Sequence, residues 1–252
     1  MNLINWLKTI LGCKEEIWRQ NAINWQSIAL DTKDKLDDCN KKNKWLQSQL
    51  EKCLSNKDDT WDEGNVPDWL DTNQTPYIPV IEIEGETIQL RPQDIYMECR
   101  TLREIATPLR KLPIEERFRE IWKLVIQRMS YKYDKSDNWL PPIVSWERKA
   151  GDCDDSTVLF VTLCRIAHIP ADRVFNSCGW YYANGKRYGH SFPIIKLDDG
   201  KWYIAESTLN FVPSNFKLLL GSNYDCSWGV VNWKFSGKIK PEFNKGKGKV
   251  QI

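Results

Sequence analysis

The sequence predicts an α+β domain, on three observations. A helical run from about Cys153 to Ala167 is apolar on nearly every face. Three strand-like runs follow it directly, near residues 172–183, 187–197 and 201–206. The last two runs are separated by Asp198-Asp199-Gly200, a tight-turn signal that makes them antiparallel neighbours. One buried helix against an antiparallel sheet is the simplest way to cover both apolar surfaces.

The elements before that core read in order. From about Leu3 to Leu54 there is no proline and only Gly12, so helix formers run uninterrupted. Ile4, Leu11, Trp18, Trp25, Thr32, Cys39, Leu46 and Cys53 recur every seventh residue, with Leu7 and Ile28 on the companion seam. The remaining seam positions are polar, so residues 1–54 are expected to form a weak coiled coil, a homo-oligomerisation device, or an amphipathic helix laid on the rest of the chain. Residues 55–76 lose periodicity among acids and prolines and read as a linker. The globular part is then expected over 77–235. It opens with a hairpin at Tyr77–Glu84 and Thr87–Leu90, followed by helices near 93–106 and 114–130, the second introduced by Pro113. A Lys/Gly-rich basic tail is expected over 236–252.

Composition narrows the function classes. Thirty-six Lys and Arg against 34 Asp and Glu leave a net charge of +2, scattered along the chain rather than gathered on one face, so no nucleic acid is expected as a partner. No run approaches the roughly 20 apolar residues of a membrane span, and the first residues lack the pattern of a secretory signal. A soluble, cytoplasmic protein without membrane contact is expected. The Lys, Asn and Ile usage points to an AT-rich genome such as a phage, which would put the protein in the host cytoplasm or the virion. Eight cysteines are expected as reduced thiols, and neither they nor the two histidines form a zinc-ligand pattern. Asp134, Asp137 and Asp198 are too sparse for an EF-hand calcium loop. No cofactor and no metal are expected.

The chemistry concentrates at Gly151-Asp152-Cys153-Asp154-Asp155. A thiol in the first turn of a buried helix sits beside free backbone N–H groups and the positive end of the helix dipole, which favour a thiolate and can hold an oxyanion. Asp152 suits the N-cap, but three aspartates beside the sulfur raise its pKa, so a cation is required. Of the two histidines, His168 lies at the far end of the helix, where it is expected to bond the last carbonyls. His190 follows Gly189 within a strand, and Glu206 ends the next strand, so the pair is expected side by side across the ladder. Cys153 as nucleophile, His190 as base and Glu206 as orienting acid make a triad. Trp139 and Trp146, on either side of Pro141-Pro142, are candidates for the second oxyanion donor. Trp180 and Tyr182 are candidates for the acyl groove, with Tyr181 facing the core.

These residues resemble the transglutaminase-like superfamily, which includes bacterial and phage transglutaminase-like cysteine proteinases. The resemblance spans roughly Trp139 to Thr208. It rests on Gly151–Asp155, on Leu163 through Ala171 around Ile169-Pro170, on Gly189-His190-Ser191-Phe192, and on Trp202 with Glu206-Ser207-Thr208. It implies a papain-like core in which Cys153 attacks and His190 acts as base. The chain departs from the family pattern in three places. Glu206 stands where an Asp is usual, Pro193 follows Phe192 and suggests an edge or bulge, and His168 replaces a Gly. The expected reaction is acyl transfer from a protein or peptide amide through a thioester, with a peptidase or amidase favoured over a crosslinking transglutaminase. The rival expectation is a non-catalytic module that keeps the fold for binding or assembly.

Overall fold

The computed structural model describes residues 64–74, 76, 80–83, 86–89, 95–133 and 139–240, with positions 37 and 44 besides. The chain divides at Glu51/Lys52, and everything below belongs to the second unit. The expected heptad helix over 1–54 lies outside the described residues, apart from those two positions. Among the described residues no helix is long and apolar enough to cross a membrane.

Strands β1 (Leu70–Asp71), β2 (Val80–Ile83) and β3 (Glu86–Gln89) come first, then helices α1 (Arg100–Ala106) and α2 (Ile114–Arg128) with a short 3-10 turn between them. Strand β4 (Ser130–Tyr131), helix α3 (Pro142–Arg148) and strand β5 (Ala150–Gly151) lead into helix α4 (Cys153–Ile166). After it come β6 (Val174–Ala183), β7 (Lys186–Lys196), β8 (Trp202–Ile204), β9 (Lys217–Leu218), β10 (Gly229–Val231) and β11 (Ser236–Ile239). Seven strands form one sheet in the order β1-β11-β10-β6-β7-β8-β9, antiparallel throughout. The expected α+β plan is therefore present, with α4 packed on β6 and β7 on one side and on α1, α2 and α3 on the others.

Helix α4 is buried from Asp154 to Ile166 except at Arg165. Its last carbonyls therefore need protein donors, since water does not reach them. Arg110 Nε donates to Ile166 at 2.8 Å, and Arg117 Nη1 donates to Ala167 and His168 at 3.0 and 3.1 Å. The backbone of His168 takes a left-handed φ of 56°, the conformation that ends helices and that glycine adopts most freely.

Three boundaries and the setting of Pro193 differ from the sequence reading. The stretch read as a linker over 55–76 contains Trp69 and Leu70, both buried, with Trp69 edge-on to Phe175 and Trp202 at 5.2 and 5.3 Å. A two-residue strand among prolines carries no periodicity to detect. The stretch read as a tail over 236–252 begins with β11, where Gly237 lets the Asp71 carbonyl approach so closely that a Cβ would sit 2.3 Å from it; residues 241–252 lie outside the described residues. The helix expected from 93 starts at Arg100, because Tyr96 is held apart by its hydroxyl bond to the Val231 carbonyl at 3.2 Å. Pro193 sits in an interior strand, without a bulge or an edge, opposite Asn176. Its carbonyl accepts from Ala205 at 3.0 Å, so its missing N–H lies on the β8 side and leaves that pair bonded in one direction only. The β7/β8 ladder ends there, one residue short of Glu206.

Candidate active site

Cys153 begins α4, behind an N-cap at Asp152 that forms a reciprocal capping box with Asp155. Asp155 accepts from the N–H of Asp152 at 3.4 Å and from Leu140 at 2.9 Å, which ties the helix start to the loop carrying Trp139. A second tie runs through hydroxyls. Ser207 Oγ lies 3.0 Å from Ser156 Oγ and 3.4 Å from Thr157 Oγ1, so the first turn of α4 is bonded to the residue after Glu206.

Glu206 leaves the sheet where the ladder stops and turns its side chain back to His190. The β7–β8 register covers Ile194↔Ile204 to Lys196↔Trp202 and, extended, would set Glu206 opposite Phe192, so His190 and Glu206 meet through a side-chain bond and not as ladder partners. His190 Nε2 and Glu206 Oε2 are 2.9 Å apart. Oε2 also accepts from the Tyr224 hydroxyl at 2.9 Å, while Oε1 accepts from Thr208 N at 3.0 Å and from Thr208 Oγ1 at 2.6 Å. The Glu206 carbonyl accepts from Trp122 Nε1 at 2.7 Å. Burial opposes ionisation of this carboxyl, but the hydrogen bond and charge of His190, with Thr208, outweigh it and hold the pKa down at about 2. The extra methylene of glutamate is spent on spanning from the end of β8. The imidazole is enclosed by Tyr181, Phe192 and Tyr224, ring centroids 5.8 to 6.1 Å away.

Cys153 and His190 line one cavity of about 900 Å³. With Nε2 committed to Glu206, Nδ1 is the ring nitrogen left to take a proton. The Cys153 thiol is pushed up to about 12, first by burial and then by the Asp154 carboxylate, with Asp152 adding to it. The backbone N–H groups of Ser191 and Asp154 act in the opposite direction. Sequence reasoning identified the aspartates and missed that burial is the larger cause. Burial, followed by the hydrogen bond to Asp152 and its charge, raises Asp154 well above the carboxylate range. Asp152, Cys153 and Asp154 have ligand atoms within 4.8 Å of one another, the one grouping among the described residues that could hold a metal ion.

Of the other candidates the cavity takes some and leaves others. Trp139 lines it and is buried. Trp146 does not line it; the Arg128 guanidinium covers its ring at 4.5 Å, on the outer side of α3. Trp180 is not part of the lining either, being packed edge-on against Trp228 at 4.8 Å. Tyr182 points to the other face of β6, where its hydroxyl donates to Asp225 at 2.9 Å. Tyr181, expected in the core, lines the cavity instead. The alternation along β6 is present with the opposite phase. Sequence reasoning missed Tyr224, Arg187, Tyr188 and Trp228, which no motif marks; Thr208 lay within a quoted motif with no role assigned.

No curated protein matches the sequence. Among solved structures, LapG of Legionella pneumophila is similar at 14% identity over 55% of this chain and 74% of that one, with a TM-score of 0.41. Its calcium-bound form gives 15% identity over 56% and 78%, with a TM-score of 0.38. Likenesses this loose carry no inference about chemistry. The transglutaminase-like superfamily matches over residues 103–207, a segment that contains Cys153, His190 and Glu206. That match takes in fewer than half of the 252 residues, and over it this chain is similar to the transglutaminase-like superfamily.

Proposed function

We propose that this protein transfers acyl groups from peptide or other amide substrates through a thioester on Cys153, with water as the usual acceptor, which makes it a peptidase or amidase. The observation that carries this reading is the shared cavity of Cys153 and the His190–Glu206 pair. The thiol proton passes to His190 Nδ1 as the sulfur attacks the carbonyl carbon. The C–N bond then breaks, and the imidazolium gives its proton to the departing amine. Water, deprotonated by His190, attacks the thioester and returns the thiol. Glu206 holds the ring and stabilises its positive charge in both halves. The N–H of Cys153 and the indole of Trp139 are the oxyanion donors in this scheme.

One observation favours a second reading, a binding module without catalysis. A thiol raised to about 12 suits an inert cysteine unless His190 takes its proton. Hydrolysis of a peptide-amide library by the wild type and by Cys153→Ala separates the two, with a primary amine added in parallel to detect transamidation. Products that require Cys153 support the enzyme, and the amine-coupled fraction measures acceptor choice. Identical product profiles for the two proteins would leave only the binding module.

A further inference from the structure

We propose that Arg187 selects substrates carrying a carboxylate close to the reacting carbonyl, so that the site acts on acidic peptides; this rests on the acyl-transfer reading above. The cavity is charged unevenly. Asp152 and Asp154 stand at the helix start, and on β7 the permanent cation among the described lining residues is Arg187. It is exposed and makes no ion pair among the described residues. The acid of that corner, Asp225, is already engaged. Its Oδ1 accepts from Trp180 N at 3.1 Å and from Ser227 N and Oγ at 3.1 and 2.6 Å, and its Oδ2 accepts from Tyr182.

Arg187 is also held in place. Its guanidinium carbon lies 4.5 Å over the Trp180 ring, and Trp180 is propped edge-on by Trp228. Trp228 in turn lies against Gly189, where a Cβ would come within 2.8 Å of Cη2, so the glycine before His190 gives the indole its seat. Stacking fixes the plane of a guanidinium and leaves its N–H edge available for a planar carboxylate. A cation presented this way loses little side-chain freedom when it binds an anion. Asp152, which lines the same cavity from the start of α4, repels the same anion, so a substrate carboxylate is oriented as well as attracted.

The test uses two alkylating probes of one shape, N-iodoacetyl-glutamate α-amide and N-iodoacetyl-glutamine α-amide, with modification of Cys153 read by peptide mapping. At low ionic strength the anionic probe is expected to react about fivefold faster, the factor given by ~1 kcal/mol from a rim ion pair, after correction by the same ratio on glutathione. The preference should fall to parity in Arg187→Gln, reverse in Arg187→Glu, and fade in the wild type at about 0.5 M salt, a readout that needs no variant. Equal corrected rates in the wild type, or an undiminished preference in Arg187→Gln, would overturn the proposal. Alkylation needs only the thiol and the cleft. Failure of amide hydrolysis would therefore sink the acyl-transfer reading while the probe ratio still decides the role of Arg187.

Discussion

Replacing Glu206 by Gln changes one oxygen into an amide nitrogen, and the surrounding donors dictate which one. Oε1 receives the Thr208 N–H, a fixed backbone donor that requires an acceptor. The carbonyl of the new carboxamide must therefore face Thr208, and its NH2 group must face His190 Nε2 and Tyr224. A donor there turns Nε2 into the acceptor and moves the ring proton to Nδ1, the atom required to accept from Cys153. The variant keeps its shape and loses its base. In the serine-protease triad the equivalent acid-to-amide change costs about 10^4 in turnover. The thiol gives an independent scale. At about 12 its thiolate fraction at pH 7.5 is roughly 3 × 10^-5, about a thousandfold below that of a thiol at the ordinary value of 9.0. Alkylation of Cys153 by iodoacetamide, followed from pH 5 to 10 by peptide mapping, should thus fall about a hundredfold or more near neutrality in Glu206→Gln. Thermal melting serves as the control for folding. A folded variant whose Cys153 reacts within threefold of the wild type would refute the reasoning, since the proton would then have a destination other than His190.

Three further outcomes follow from the same contacts. Glu206 has its pKa lowered from 4.5 to about 2 in the folded protein, so it contributes ~3 kcal/mol above the unfolded value that is lost as pH falls through the folded one. The difference in melting temperature between the wild type and Glu206→Gln should be full at pH 6 and vanish near pH 2. Ser207→Ala removes the hydroxyl that joins the first turn of α4 to the Glu206 segment and should cost about 1–2 kcal/mol in urea unfolding; an unchanged midpoint would show that the tie is not used. Gly179→Ala would bring a Cβ to 2.1 Å from the Asp225 carbonyl, directly beside His190 in register, and should cost at least ~3 kcal/mol or prevent folding, as read by circular dichroism.

The residues that sequence made legible are those whose role depends on local pattern. A helix buried on all faces has a continuous apolar run, and Cys153 at its start is visible because the run begins there. The turn at Asp198-Asp199-Gly200 sets the phase of β7 against β8, and Gly200 takes a positive φ of 78°. What stayed hidden depends on contacts between distant segments. Tyr224 reaches Glu206 from an irregular stretch beyond β9, Arg110 and Arg117 cap α4 from some fifty residues upstream, and Trp69 enters the core from an apparent linker. Pro193 is recognisable as a ladder breaker, but which side it breaks depends on the direction of a carbonyl that one-dimensional reading does not give. That direction is what releases Glu206 toward His190.

The proposed function depends above all on covalent acylation of the Cys153 sulfur. The most direct measurement is mass spectrometry of the protein quenched in acid after mixing with an activated ester, followed by peptide mapping. A single acyl group is expected on the peptide containing Cys153, released by hydroxylamine at neutral pH and much reduced in His190→Ala. An adduct on another residue, or none on Cys153 while ester is consumed, would contradict it.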